Sequence, residues 1–424
     1  MISMLFHRIR NNLAYSYLTF TIFAYFIIPV RGGIPFLVTS LAVLLIIYQL
    51  CRGEVLKDFS KKEIFRFFIS FCRKIKLTMF RPENRQLSCL IVFILVWPLT
   101  GLISGNPVRG KLISETWYAL GIFCFMLLII RTSQVHSDFS YKILRLLFIL
   151  GTCSALASLC LYVSELLALP EGLSVNAIKA NRLVPVGRSQ HQIMGAGGLA
   201  AAFFTGGALY LGNFSKSRIK YIIICGLLLI FLTICLTQSR GPVISLILAS
   251  AGCFYFDYKK RKPLTMLVIA VFCCLVPLCL VFAEPVIKGI FCEGSNEVLC
   301  RPSLRVDVWL ELLEQIRQSP VYGYGIGYRV VVNDIVHAHN TFIGTALTRG
   351  IPVAIAFYGL IGIALFRATR MNDAIVRIFV SGSLLFALGF MATDLPNPFT
   401  VLNSHYFFLW MPVALAFGGS PSLR

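Results

Sequence analysis

The chain has 424 residues, of which 57% are apolar and 13% are charged, and its formal net charge is +21. A water-soluble globule cannot bury this much apolar surface, so the composition indicates a protein solvated by lipid. Long apolar runs without alternation favour helices over a β-barrel, because a helix satisfies its backbone hydrogen bonds within itself. The sequence therefore predicts an all-α, polytopic membrane protein that forms a single domain over residues 1–424.

The positive charge lies in short loops between the apolar runs. A nucleic-acid-binding protein would need a basic soluble face instead, so this class is excluded. With the amino terminus inside, the inner segments hold 26 of the 39 Lys and Arg residues, as the positive-inside rule requires. Both termini are therefore expected to be cytoplasmic. The twelve predicted spans are 13–30, 34–50, 87–104, 112–130, 143–164, 192–211, 221–237, 241–256, 264–283, 349–366, 375–392 and 399–417.

Two loops stand out by their length. The inner loop 51–86 carries ten basic residues among several phenylalanines, which suits either an amphipathic helix on anionic lipid or a loop that only sets the topology. The large outer loop 284–348 contains Cys292 and Cys300, whose spacing is compatible with a small disulfide ring in an oxidising compartment. No soluble domain is evident, so the chemistry is expected in the spans and in the outer loops 165–191 and 284–348.

Arg240 lies in a short turn between two predicted spans, directly after residues 236–239. A guanidinium group at this depth is costly unless it pairs with an anion or a carboxylate, although a long side chain can also reach the interface. Arg240 also begins the next predicted helix, whose amino terminus is itself weakly positive. These two features favour an anionic ligand.

The segment 302–320 has the period of an amphipathic helix on the outer side of the membrane. With Ser303 as N-cap, Arg305 falls in the first turn, where its side chain and unpaired backbone N–H groups can converge on a phosphate. A surface pair with Asp307 or Glu311 explains Arg305 equally well. The predicted apolar face consists of Leu304, Val308, Trp309, Leu312, Leu313 and Ile316.

Three alternating glycines follow between Pro320 and Gly327, a pattern that permits a tight loop or an anion cradle. His337 and His339 come next, and His339 and Asn340 open a helical stretch that ends at Arg349-Gly350. Two histidines at this spacing, near a single carboxylate (Asp334), are a weak signal for a metal. A metal-independent site without a cofactor is therefore expected. The sequence contains no ATP-binding loop, so an activated substrate must supply the energy.

His339-Asn340, nine further residues and then Gly350 resemble the signature of the bacterial O-antigen ligase family, whose members join O-antigen polysaccharide to the lipid A core. Residues 236–240, 303–305 and 320–327 also resemble motifs of that family, in the same order. Asn181-Arg182, Gly187 and Gln190-His191 loosely resemble an earlier outer-loop motif, without its usual Asn-Pro pair. This likeness makes Arg182 and Arg188 candidate substrate-binding residues.

The resemblance implies an enzyme that takes a glycan from undecaprenyl diphosphate and transfers it to the lipid A core at the periplasmic face of a bacterial inner membrane. Arg240 and Arg305 would bind the diphosphate and stabilise its developing charge, without a metal ion. His339 would accept the proton of the acceptor hydroxyl, as an imidazole that titrates near neutral pH, and the anomeric carbon would invert. His337 is the rival base, and Asn340 would orient the site or cap the helix.

Three other functions compete with ligation. An O-antigen polymerase would use the same donor and a similar architecture but a different acceptor. A flippase or transporter of a lipid-linked sugar should carry ionisable residues near the middle of its spans and show repeat symmetry, whereas these spans are nearly free of charge apart from Glu115 and Arg145 near span ends. A purely structural scaffold would not need arginine, histidine and glycine gathered in the outer loops.

Overall fold

The structure, a computed structural model, describes residues 15–26, 41, 85–101, 109–136, 138–187, 191–212, 217–258, 262–291, 305–328, 330, 332, 335, 337–395, 397–400 and 402–418. Most of the basic loop 51–86 lies outside these residues. So do Arg188, Cys292, Cys300, Ser303 and Asp334. Expectations about the loop, the disulfide and the N-cap therefore stay predictions.

The described residues are mainly helical, and they include no β-strand beyond an isolated bridge between Val332 and Ile335. The first seven described helices are α1 (15–26), α2 (Arg85–Thr100), α3 (Arg109–Val135), α4 (Phe139–Leu167), α5 (Val175–Ala180), α6 (Gln192–Leu211) and α7 (Ser217–Leu236). The next seven are α8 (Arg240–Tyr258), α9 (Pro263–Phe291), α10 (Arg305–Gln318), α11 (Thr341–Arg349), α12 (Ile351–Thr369), α13 (Ala374–Thr393) and α14 (Tyr406–Gly418).

Helix α13 lies at the centre of the bundle. Its apolar stretch is 89% buried, whereas those of α7 and α9 are 28% buried, so the latter two leave a wide apolar face for lipid. Glycines let neighbouring helices approach α13 closely: Gly382 packs against Phe204 of α6, and Gly389 against Ser245 of α8. The small residues of α13 thereby let α6 and α8 pack directly against it.

Seven of the described helices, α3, α4, α6, α7, α9, α12 and α13, are long and apolar enough to cross a membrane. This confirms the all-α membrane class, while the count of twelve spans stays a prediction. The predicted span 399–417 is too long, because its helix begins only at Tyr406, with a π-helical first turn. The described residues 397–400 before it are not helical, and Trp410 Nε1 donates to the Pro398 carbonyl at 3.0 Å.

The expectation that the predicted spans carry almost no charge was wrong at α13. Arg377 is buried in its first turns and forms a salt bridge with Asp257 at 3.0 Å, at the end of α13 opposite to Asp394. Arg377 Nη1 also donates to the Met371 carbonyl at 2.9 Å. An arginine can enter an apolar helix here because its charge is paired and hydrogen-bonded.

The predicted amphipathic helix is confirmed as α10, which packs on α9 and α11; its place on the outer side of the membrane stays a prediction. Val308, Trp309, Leu312 and Ile316 are buried, and Trp309 Nε1 donates to the Ala338 carbonyl at 2.7 Å. Leu313 was assigned to the buried face as well, but it is exposed. The Trp309 bond joins α10 directly to the segment that carries His337 and His339.

Candidate functional site

The histidine segment is held by the cap of α11. Asn340 is the N-cap residue: its side-chain oxygen accepts from Ile343 N, and its Nδ2 donates to the Ala392 carbonyl at 2.8 Å. Thr341 Oγ1 donates to the Leu395 carbonyl at 2.7 Å. The amino terminus of α11 is therefore fixed to the carboxyl end of α13, and the contacts of Asn340 are those of a positioning residue.

His337 and His339 lie side by side in front of this cap, with ring centroids 3.9 Å apart. His339 has a φ of 49°, a left-handed conformation that is strained for a side chain of this size. The Nδ1 atoms of both rings are buried and have no hydrogen-bond partner. Both imidazoles therefore keep a nitrogen that is not engaged by the protein.

Burial lowers the pKa of His339 to about 4, and the neighbouring His337 and the positive charge of Arg305 act in the same direction. Asp394 opposes this effect. Burial, and then His191, lower the pKa of His337. The expectation of an imidazole that titrates near neutral pH was wrong for His339, because a half-buried ring beside a guanidinium group resists a second positive charge.

Arg305 is paired with Asp394, which follows the last residue of α13. Arg305 Nη2 lies 2.6 Å from Asp394 Oδ1, and the side chains of Arg305 and Asp394 are 22% and 1% exposed. Thr393 Oγ1 donates to the other carboxylate oxygen at 2.9 Å. The alternative pairing of Arg305 with Asp307 or Glu311 is not what the structure shows. Asp394 orients the guanidinium group, whose partial exposure leaves it open to an anion.

Arg240 begins α8, as predicted, and its side chain is exposed. The next residue, Gly241, packs so closely on the Asp394 carboxylate that an added Cβ would clash with Oδ2. The amino terminus of α8 therefore borders the same carboxylate that holds Arg305. The structure thus brings Arg240, Arg305, His337 and His339 to one end of the bundle.

Arg182 is placed beneath the turn between α7 and α8. Its Nε donates to the Thr237 carbonyl at 3.0 Å, and its Nη2 donates to Ser239 Oγ at 2.9 Å and to the Gln238 carbonyl at 3.4 Å. His191 is the N-cap residue of α6. Partial burial and then the charge of Arg182 lower the pKa of His191, whereas Asp394 opposes this effect. The segment between α4 and α6 therefore adjoins the site through Arg182 and His191.

The glycine stretch lies at the other end of α11, about 13 Å along the helix axis from the N-cap. Tyr324 N and Gly325 N donate to the Leu347 and Thr348 carbonyls at 2.7 and 3.0 Å. Gly323 and Gly325 have positive φ angles, as the pattern predicted. These contacts support a tight loop and not an anion cradle. The two N–H groups donate to the last carbonyl groups of α11, so they are not directed towards an anion.

The same end of α11 carries a buried ion pair. Arg349 Nη2 contacts Glu115 Oε2 of α3, and its guanidinium carbon lies 4.5 Å from the centre of the Trp97 ring. Arg349 is 4% exposed. Glu115 is therefore a structural partner of the helix that follows the histidines.

Sequence reasoning missed Asp394. A lone aspartate after an apolar span carries no pattern of its own, and Arg305 is 89 positions away in the chain. The available signal was physical: a carboxylate at membrane depth requires a cationic partner. Within the part of the chain that the structure describes, no group of three or more His, Cys, Asp and Glu side chains is arranged to hold a metal ion.

Residues 225–358 match the family model described as O-antigen ligase. The matched stretch contains Arg240, Arg305, His337, His339 and Asn340, whereas Asp394 lies outside it. No curated protein matches the chain. The family match agrees with the motifs around His339 and Gly350, and it supports the likeness of the chain to the O-antigen ligase family.

Proposed function

We propose that the protein is an O-antigen ligase that transfers polysaccharide from undecaprenyl diphosphate to the lipid A core oligosaccharide, at the periplasmic face of a bacterial inner membrane. The observation that carries the proposal is the Arg305–Asp394 pair, which lies beside His339 and at the start of α8. The family match and the apolar helices support it. The twelve spans and the cytoplasmic termini belong to the same proposal.

The architecture suits two amphiphilic substrates. Both substrates carry lipid chains that remain in the bilayer, while their polar heads must meet at its surface. A bundle built almost wholly of spans, with its polar cluster at one end, lets the diphosphate reach that cluster without removing the prenyl chain from lipid. The free energy for transfer comes from the phosphate-activated glycosidic bond, so neither nucleotide nor cofactor is required.

Arg305 and Arg240 bind the diphosphate in this proposal. Asp394 accepts from Nη2 of Arg305, and the exposed part of the guanidinium group offers further donors to a phosphate oxygen. Arg240 adds an exposed cation at the amino terminus of α8, where backbone N–H groups also favour an anion. The two arginines stabilise the negative charge that develops on the leaving diphosphate. In other enzymes a metal ion provides this stabilisation.

His339 acts as the general base. Its pKa of about 4 keeps the ring neutral near pH 7, so that a nitrogen can accept the acceptor hydroxyl proton. The acceptor oxygen forms a bond to the anomeric carbon as the bond from that carbon to the phosphate oxygen breaks, and the diphosphate leaves with the electron pair. Attack from the face opposite to the leaving group inverts the anomeric centre. His337, whose ring touches that of His339, remains the rival base.

The test uses the purified protein in lipid nanodiscs with lipid-linked O-antigen and lipid A core, without nucleotide or divalent metal. Glycan attached to the core supports ligation. Glycan lengthened on the prenyl carrier supports a polymerase, and movement of the intact donor across a sealed vesicle supports a flippase. His339→Ala should abolish transfer, whereas His136→Ala is the matched control, because His136 lies in the connection between α3 and α4. Full activity of His339→Ala would remove the assignment of the base.

A further inference from the structure

The turn that leads into Arg240 has an unusual backbone. Gln238 has a φ of 51°, one of two positive values among the described residues other than glycine. A side chain held in this left-handed region costs of order 1–3 kcal/mol unless the surroundings fix it. Contacts with other segments of the chain therefore hold the turn in this conformation.

Those contacts come from the outer loop around α5, and they are reciprocal. Gln238 Nε2 donates to the Ile178 and Asn181 carbonyls at 2.7 and 3.1 Å, close to the carboxyl end of α5. In return, Arg182 donates to the Thr237 and Gln238 carbonyls, directly after the last residue of α7. Each segment thus satisfies carbonyl groups at the end of the other segment's helix.

Two further bonds stiffen this unit. Leu183 N donates to the Leu236 carbonyl at 3.0 Å, which ties the loop to the last residue of α7. Tyr162 Oη donates to the Asn181 carbonyl at 2.8 Å, which ties the same loop to α4. A guanidinium group at a helix carboxyl terminus also interacts favourably with the helix dipole.

We propose that Arg182 and Gln238 are positioning residues that hold the turn between α7 and α8, so that Arg240 is presented to the substrate diphosphate. This inference rests on the proposed function of Arg240. It differs from the role that the sequence resemblance implied for Arg182, namely direct contact with substrate. Three bonds of Arg182 go to the turn, and the Nε2 group of Gln238 donates to two backbone carbonyl groups, so both residues are assigned a role through Arg240.

Double-mutant cycles test this assignment in the nanodisc transfer assay. Arg182→Ala and Gln238→Ala should each lower kcat/KM by on the order of 10²-fold, the effect of a misplaced binding group. In the Arg240→Ala background the same changes should cost less than about threefold, because the group that they position is gone. Equal losses in both backgrounds would show that Arg182 contacts substrate itself, and would overturn the proposal.

Two further variants distinguish the hydrogen-bond geometry of these residues from their charge. Arg182→Lys should be nearly as impaired as Arg182→Ala, because an ammonium group cannot reproduce the fork that spans three acceptors. Gln238→Gly accommodates the positive φ and deletes only the side-chain hydrogen bonds. It can therefore test the role of Gln238 even if Gln238→Ala does not fold. Full activity of Arg182→Lys or Gln238→Gly would contradict a positioning role.

A second readout does not depend on catalysis. Hydrogen exchange of the backbone over 236–243 should be faster in Arg182→Ala and Gln238→Ala than in the wild type, and unchanged in Arg240→Ala and in the exposed control Arg317→Ala. Failure of the ligase assay in the wild type would remove the proposed function without affecting this measurement. Unchanged exchange in the first two variants would remove the positioning role even if the ligase assay succeeds.

Discussion

Asp394→Asn is the most direct test of the site, because Asp394 holds Arg305 and was not foreseen from the sequence. Removing one partner of a buried ion pair costs about 3–5 kcal/mol. Two features reduce this figure: Arg305 is 22% exposed and can be partly rehydrated, and asparagine keeps an oxygen that can accept from Nη2. We therefore expect a loss of roughly 2 kcal/mol in the free energy of unfolding.

The catalytic effect of Asp394→Asn should be larger than its effect on stability. A guanidinium group without its fixed partner can move by about 1 Å, which costs on the order of 10²-fold in rate. The variant also removes the negative charge that opposes the fall in the His339 pKa, so the base becomes weaker. The assays are thermal unfolding in detergent and glycan transfer in nanodiscs.

The matched control is Asp307→Asn, which removes an exposed carboxylate two residues after Arg305 on the same helix. It should change neither unfolding nor transfer by a measurable amount. If Asp394→Asn were as stable and active as the wild type, or if Asp307→Asn were equally damaging, the pairing of Arg305 with Asp394 would not be the functional contact.

The acid limb of kcat/KM should lie near pH 4–5, because the free enzyme protonates the His339 ring with a pKa of about 4. An acid limb near pH 6.5 would contradict the burial argument. The folded protein should lose stability as the pH falls from about 6.5 towards 4, since the unfolded chain takes up this proton first, and urea titrations at several pH values measure the slope. His337→Ala should retain transfer if His339 is the base, and a loss equal to that of His339→Ala would favour His337. Glu115→Gln should lower the apparent melting temperature by leaving the Arg349 charge buried without a counter-charge, and Glu115→Asp should be less harmful. Gly350→Ala should destabilise the protein through its φ of 90° and a clash with the Val321 carbonyl, seen as a lower melting temperature.

Much of the fold could be predicted from the sequence because membrane helices follow local rules. Apolar length located α4, α6, α12 and α13 to within a few residues, and the period of apolar residues located α10. Asn340 and Gly350 marked the two ends of α11 correctly, since capping depends on neighbours in the chain. The start of α14 was wrong because apolar composition does not distinguish a helix from a buried irregular segment.

Residues of the candidate site could be proposed from the sequence only where a single segment contains a recognisable pattern. Arg305, His337 and His339 could be proposed from the sequence because a helix period and a short motif point to them, and the structure brings them to one end of the bundle. Asp394 was missed, and Arg182 was given a substrate contact, because their partners lie 89 and 55 to 57 positions away. The prediction of a near-neutral pKa for His339 failed for the same reason. The ring is buried, and lies beside Arg305, only because segments distant in the sequence meet in the fold.

In the proposed mechanism, the charges at this site connect donor binding to the strength of the base. Before the donor arrives, Asp394 is the anion that faces Arg305, and the remaining positive charge helps to keep His339 neutral. A diphosphate bound to Arg305 and Arg240 would bring negative charge to the same place. It would thereby raise the pKa of His339 towards the pH at which the imidazole accepts a proton effectively. The base is then strongest while the activated glycan is in position. A base whose pKa rises on donor binding does not need a near-neutral pKa in the free enzyme. A buried histidine beside an arginine is therefore compatible with proton transfer.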